Sequence, residues 1–389
     1  MTSTCGSNAL NEIYLDNAAT TRMAPEVRDA MIPWLGELWG NPSSKHRLGI
    51  QAREAIDRAR DQVARAVDAR ARGVHFTSGG TEANNLAVQS AARMRASKGK
   101  HILIGPTEHP SVREAALSLT SEGFTVVTLR LDSSGDLDLQ HAASALRPDT
   151  VLVAQMLVSN ELGTHYPVAA LAKLTRGAAP HAHVHVDAVQ GLGKVEVSLA
   201  DLGADSLAVS AHKLHGPQGC GALVLAEGVE LKPIVHGGGQ ENGLRQGTQG
   251  VPGIVGFGAA AQLADRHLAE SRTTCERVGQ ILIAGTRDLR GVVPVTPGTT
   301  VPNILSLELP GAPAEVWLHH LEERGIYVSV GSACHSNKGG ENSALGAIGF
   351  DNNRAKQVMR MSFCRDSTEE EATRVVEVML EIARELENL

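Results

Sequence analysis

Apolar positions recur at Ala52, Ala55, Ile56, Ala59, Val63 and Val67, the three-and-four spacing of a helix that buries one stripe. Shorter apolar runs alternate with patterns of that kind. Val74–Phe76, His101–Ile104, Thr125–Leu129, His183–Val186, Ser206–Val209 and Ala222–Leu225 read as strands. Val151–Val158 is the clearest, an apolar run broken only by Gln155, as expected of a strand covered on both faces. Between them, Thr81–Met94, Ser111–Thr120 and Pro167–Thr175 read as helices. Strands alternating with helices predict a mostly parallel sheet with helices on both faces.

The pattern changes past Gly253. Residues 253–290 are helical in composition apart from early glycines, and are expected to link two domains. Beyond them come a strand at Asn303–Leu309, a helix at Ala314–Glu323, a strand around Ile326–Val330, a strand at Val358–Phe363 and a last helix from Thr368 to about Leu386. Ser367-Thr-Glu-Glu-Glu puts acids in that helix's first turn, where the helix dipole favours them. This portion predicts a smaller α+β unit. We expect a large domain over residues 14–262 and a small one from 1–13 and 263–389.

The chain has 389 residues, 42% hydrophobic and 20% charged, an ordinary globular composition long enough for a large core. A net charge of −7 gives no electrostatic reason to expect nucleic acid or an acidic membrane as partner. No apolar segment is long enough to span a bilayer. Five scattered cysteines, Cys5, Cys220, Cys275, Cys334 and Cys364, argue against a disulfide framework and for a reducing, cytoplasmic setting. The opening residues, Met1-Thr-Ser-Thr-Cys5, lack a basic stretch before an apolar core, so no signal peptide is expected.

Candidate chemistry sits just past the strands. Lys213, in Ser210-Ala-His212-Lys213, follows one apolar strand, and Asp187, in His185-Val-Asp187-Ala-Val-Gln190, follows another. A desolvated lysine holding pyridoxal phosphate as a Schiff base, with an aspartate keeping the pyridine nitrogen protonated, needs this pair. Ser78-Gly79-Gly80-Thr81 opens a helix, as a phosphate cradle or simply a turn. His109 in Thr107-Glu-His could stack on a cofactor ring, and Asn160 in Ser159-Asn-Glu could meet its phenolic oxygen. Each also reads as an ordinary loop residue. His181, His183, His185 and Asp187 alternate along one strand face, which does not converge ligands on a metal, so no metal is expected. His236-Gly-Gly-Gly239 through Arg245-Gln-Gly-Thr248 is either a surface loop or a phosphate-binding one that reaches across a dimer. Cys334, in Gly331-Ser-Ala-Cys334-His335-Ser336, is a candidate nucleophile in a polar, glycine-rich loop, whereas Cys220 and Cys364 adjoin apolar stretches and read as inert. Arg360 interrupts an apolar strand and needs an anion, either a substrate carboxylate or a structural partner.

In combination these motifs resemble the cysteine desulfurase and selenocysteine lyase family of fold-type I, class-V aminotransferase-like pyridoxal phosphate enzymes. The likeness runs from Tyr14-Leu-Asp-Asn-Ala-Ala-Thr-Thr21 through Gly40-Asn-Pro-Ser-Ser44 to the final helix. It implies a mixed, mostly parallel seven-stranded sheet plus a smaller α+β domain. It implies that Lys213 carries the cofactor, Asp187 pairs with the ring nitrogen and His109 stacks over the ring. Asn160 and Gln190 would contact the ring's oxygen side. Gly80, Thr81, Ser210 and His212 would hold the phosphate, with Thr248 supplied by the second subunit of a homodimer. Arg360, helped by Asn41, would bind the substrate carboxylate. Cys334 would take sulfur from L-cysteine as a persulfide, leaving alanine, on a mobile loop that carries it to an acceptor such as an iron–sulfur scaffold protein. Ser159 stands where the family often has asparagine, and Ser362-Phe-Cys-Arg365 where Ser-Leu-Gly-Arg is usual. The stretch Val330–Ser336 is also similar to selenocysteine lyases, so L-selenocysteine is the alternative substrate. A non-catalytic scaffold for sulfur carriers is the alternative of another class.

Overall fold

The computed structural model describes residues 12–309, 311–330 and 344–387. In chain order its elements are β1 (Ile13–Tyr14), α1 (Pro25–Met31), α2 (Arg47–Ala66), β2 (Val74–Thr77), α3 (Gly80–Met94), β3 (His101–Ile104), α4 (Pro110–Ser118), β4 (Thr125–Thr128), α5 (Leu139–Ala145), β5 (Thr150–Met156), α6 (Val168–Ala178), β6 (His183–Asp187), β7 (Ser206–Ser210) and β8 (Gly221–Leu225). There follow α7 (Val251–Arg266), α8 (Leu268–Gly285), β9 (Val293–Val295), β10 (Ile304–Glu308), α9 (Ala314–Glu322), β11 (Ile326–Tyr327), β12 (Ser329–Val330), α10 (Ala344–Ala347), α11 (Asn352–Ala355), β13 (Val358–Ser362) and α12 (Glu369–Glu387). Among the described residues no helix is long and apolar enough to cross a membrane.

The large sheet has seven strands in the order β2-β8-β7-β6-β5-β3-β4. Only β8 runs against its neighbours; the other pairings are parallel. This is the mixed, mostly parallel sheet that the family likeness implied. Strands β5 to β8 are buried throughout, which is why they read as near-continuous apolar runs. Register pairs Met156 with Asp187 and Asp187 with Ala208, so the carboxyl ends of β5, β6 and β7 finish side by side. Ligand sites in such sheets gather at that edge.

Helix α2 starts earlier than its apolar stripe suggests, because the His46 side chain accepts from the Gly49 N–H and caps it. Its stripe packs with Ile254, Phe257, Ala260 and Ala261 of α7 in the large core. The two helices approach closely at Gly258, where a Cβ would lie 2.6 Å from Ala59 Cα. The helical stretch expected over 253–290 is two helices. It breaks at His267, whose φ and ψ are −105° and 15°. Beyond the break, Cys275, Val278 and Leu282 join a second core with Ile13, Leu15, Trp317, Met361 and the inner face of α12.

The strand expected over Ile326–Val330 is also divided. Ile326 and Tyr327 pair in parallel with β1. Past Val328 the chain changes sheets, and Ser329 and Val330 pair with Arg360 and Met359. The small sheet is antiparallel, ordered β12-β13-β10-β9. Its strand β13 aims Arg360 at the edge of the large sheet.

Candidate active site

Gly80, Thr81, His109, Asn160, Asp187, Gln190, Ser210, His212, Lys213 and Arg360 all line one cavity of about 310 Å³ at that edge. Residues far apart in sequence meet there because β6 and β7 end, α3 begins, and the β3–α4 loop and the middle of β13 reach the same place. Ala18 and Ala19 supply another wall.

Lys213 follows β7 through a single 3-10 turn, Ala211–Lys213. Its Nζ donates to the carbonyls of Ala18 (2.6 Å) and Ala19 (2.5 Å). Burial first, then the nearby cations Lys194 and Arg360, pull its pKa down to about 8. A lysine in that range presents a substantial neutral fraction near pH 7 and is a competent nucleophile. Lys194 lies behind it, donating from Nζ to the Lys213 carbonyl at 2.5 Å.

Asp187 ends β6. Its Oδ1 accepts from the Val189 N–H (3.0 Å) and its Oδ2 from Asn84 Nδ2 (2.7 Å). His109 sits at the start of α4, where its Nδ1 accepts from the Ser111 N–H (3.1 Å) and lies 2.7 Å from Ser111 Oγ. Burial lowers the imidazole's pKa, against the opposing pull of Asp187.

At the other end of the cavity α3 begins at Gly80, so its first amides and positive dipole end border the opening. Gly79 has φ of 154°, a conformation L side chains rarely adopt, and a Cβ on Gly80 would fall 2.6 Å from Val189 Cγ2. These glycines let the helix start press against the strand ends. Burial, then the charges of Lys213 and Lys194, lower His212 to about 4, so it is neutral. Glu82 accepts from the Ser78 N–H and pairs with Arg245 (2.9 Å), tying the glycine-rich loop to this helix.

Arg360 has the structural partner that was one of its two sequence readings. Its Nη2 donates to Asp16 Oδ1 at 2.6 Å and its Nη1 to the Asn160 carbonyl at 2.7 Å. Its Nε is buried and has no partner among the described residues, as do Ser210 Oγ and Gln190 Oε1. Buried polar atoms are normally satisfied, so three unpaired ones on residues that line the cavity suit a polar occupant. Pyridoxal phosphate fits this donor set. An amine stands ready for the aldehyde, a carboxylate for the ring nitrogen, and a helix start with Ser210 and His212 for the phosphate.

Two candidates do not join the cavity of this chain. Asn41 is exposed, and its Oδ1 accepts from the Ser43 N–H at 2.9 Å. Thr248 is exposed just before α7. Cys334 and its flanking loop lie outside the described residues. Cys220 and Cys275 are buried, and burial pushes each thiol up to about 12. Sequence reasoning missed Asp16, Asn84, Ser111 and Lys194. For Asn84 there was a signal: a polar residue in the buried stripe of α3, between Ala83 and Leu86.

The family described as aminotransferase class-V matches residues 13–375. A cysteine desulfurase of Methanosarcina thermophila is 36% identical over 392 residues, covering 99% of this chain and 96% of that protein. A cysteine desulfurase of a Nostoc species is 38% identical, covering 98% and 95%. Among solved structures, a NifS-like protein aligns with a TM-score of 0.90 at 36% identity, covering 97% of this chain and all 100% of that one. A structure described as SspA in complex with cysteine aligns at 0.78 with 31% identity, covering 90% and 98%.

Proposed function

Because the chain belongs to the aminotransferase class-V family and is a pyridoxal phosphate-dependent cysteine desulfurase, we propose that the cavity at the strand ends is its active centre and that Cys334 receives the sulfur. The observation that carries this reading is the convergence of Lys213, Asp187, His109 and Arg360 on one cavity from separate elements. Cysteine in the related SspA structure supports L-cysteine as occupant.

Bound pyridoxal phosphate supplies an electron-withdrawing ring, which lowers the cost of developing negative charge on substrate carbons. Lys213 would hold the aldehyde carbon, and its amine, with a pKa near 8, gives and takes a proton at Nζ close to neutral pH. Asp187 would keep the ring nitrogen protonated, and His109 would cover the ring. Gly80, Thr81, Ser210 and His212 would take the phosphate, while Asn160 and Gln190 would contact the ring's oxygen side. Arg360 would take the substrate carboxylate through its fork of N–H groups. The Cys334 thiolate attacks the substrate sulfur, the carbon–sulfur bond breaks, and its electron pair stays on the carbon, which gains a proton. Alanine leaves and the sulfur remains on Cys334 as a persulfide. Ser329 lies opposite Arg360, and Val330, the last described residue before Cys334, pairs with Met359.

The protein reads further as a cytoplasmic homodimer that passes its persulfide to an acceptor protein such as an iron–sulfur scaffold. The exposure of Thr248 supports a role at a partner's phosphate. The exposed Ile32, Leu35 and Trp39 offer apolar surface to a second copy. Alanine release from L-cysteine tests the reading. Lys213→Ala is expected to abolish it, and Cys334→Ala to lose both alanine and the persulfide. Full turnover by Cys334→Ala would overturn the proposed sulfur transfer.

A further inference from the structure

A buried chain of hydrogen bonds runs beneath the cavity. His183 Nε2 lies 2.7 Å from Ser206 Oγ, which lies 2.8 Å from His185 Nδ1. His185 Nε2 lies 2.9 Å from Asn84 Oδ1. Asn84 Nδ2 then reaches both Asp187 Oδ2 (2.7 Å) and Ser111 Oγ (2.8 Å). Asn84 is 1% exposed and His185 fully buried, so water does not compete for these groups.

The direction of each bond follows from one fact: a carboxylate only accepts. The Asn84 amide must turn its NH2 toward Asp187, which leaves Oδ1 as an acceptor for His185 Nε2–H. Burial drives the His185 pKa down to about 3, so the ring is neutral and its Nδ1 accepts from the Ser206 hydroxyl. Ser206 in turn accepts from His183 Nε2–H. On the other branch, Ser111 Oγ accepts the second Asn84 N–H and gives its own hydrogen to His109 Nδ1. The Ser111 N–H also points at that nitrogen. His109 Nδ1 therefore holds a lone pair, and the ring's proton is on Nε2.

Resting on the cofactor reading above, we propose that Asn84 is a positioning residue: its one amide fixes the Asp187 carboxylate and, through Ser111, the tautomer of His109. His109 then works as an Nε2–H donor. It takes up a proton at Nδ1 only by giving up the Ser111 N–H and reversing the hydrogen bond with Ser111 Oγ. His183, Ser206 and His185 fix the orientation of the amide by satisfying its oxygen. The same side chain thus links the helix that starts at the phosphate end to both groups that act on the ring.

The test uses the full-length enzyme, loaded and stripped of cofactor, with nitrogen-15 in its histidine side chains. His109 resonances are assigned by their loss in His109→Gln. Wild type is expected to show His109 protonated on Nε2 alone in both forms. Asn84→Leu, similar in size but without donors, is expected to mix the tautomers and to weaken pyridoxal phosphate binding about tenfold, the effect of losing one hydrogen bond to a charged group. Ser111→Ala, which keeps Asn84 on Asp187 but leaves only the Ser111 N–H on His109 Nδ1, is expected to raise the fraction of the minor His109 tautomer while leaving cofactor affinity within about twofold. Should Asn84→Leu fail to fold, Ser111→Ala carries the tautomer prediction and Asn84→Ala the affinity one. An unchanged His109 tautomer in both kinds of variant, in an enzyme that still takes up cofactor on Lys213, overturns the proposal. A wild type that takes up no cofactor on Lys213 overturns the cofactor reading instead, whatever the histidine signals show.

Discussion

Glu108→Gln is expected to stabilise the protein, and to do so only above pH 5. The Glu108 carboxyl is fully buried; burial, then repulsion from Asp187, raises its pKa from 4.5 to about 8. Its Oε1 accepts the Met156 N–H at 2.5 Å, while Oε2 has no partner among the described residues. Below pH 4.5 the folded and unfolded chains both hold the proton. Between 4.5 and about 8 only the folded chain holds it, so stability falls as pH rises through that window. Each unit is worth about 1.4 kcal/mol, so the group costs roughly 3 kcal/mol by pH 7 and roughly 5 kcal/mol above pH 8. Glutamine keeps the acceptor oxygen and removes the titration. Gln155 Oε1, also without a partner among the described residues, lies on the same side of Gly105: a Cβ there would be 2.5 Å from it and 2.6 Å from Glu108 Oε1. The assay is urea unfolding of cofactor-free wild type and variant at pH 5 and pH 8. The variant's advantage is expected to grow by several kcal/mol, about 3 to 4, between the two. An advantage of equal size at both would refute the reasoning.

Further outcomes are expected. The rate at which stripped enzyme captures pyridoxal phosphate should rise about tenfold per pH unit and level off near the Lys213 pKa of about 8; Lys194→Met should move that plateau upward, because it removes a cation that favours the neutral amine, and stopped-flow absorbance would show it. Asp16→Asn removes the charge opposite Arg360, so the KM for L-cysteine should fall while stability drops by about 2 kcal/mol, the worth of a charged hydrogen bond, read from steady-state kinetics and urea midpoints. Glu241 gathers Arg60 (2.7 Å), the Phe76 N–H (2.9 Å) and Gln249 (3.0 Å), which hold it at a φ of 47°. Glu241→Gln should cost about 3 kcal/mol, because it strands the largely buried Arg60 charge, and should weaken cofactor binding by loosening the loop that carries Thr248.

The parallel sheet was legible because each strand is a short apolar run whose burial is local information. Lys213, Asp187 and the glycines before α3 were legible for a related reason, since each follows directly on a strand end. The Asp16–Arg360 pair was not, for the partners are separated by 344 positions and neither neighbourhood names the other. Asn84 left only a weak signal, because Asn85 stands beside it and the pattern does not say which of the two turns into the buried stripe of α3. The change of sheet at Val328 was unreadable as well: Ile326–Val330 keeps one apolar character while its pairing partner changes from β1 to β13. The break at His267 lies between two stretches of equally helical composition, and only the existence of two cores decides it.

Everything functional depends on Lys213 being the amine that captures the cofactor. Borohydride reduction of the loaded enzyme, followed by digestion and mass spectrometry, tests this directly. The pyridoxyl phosphate mass is expected on the peptide containing Lys213, with none in Lys213→Ala. The same mass on Lys194, or on no lysine of an enzyme still active on L-cysteine, would contradict it.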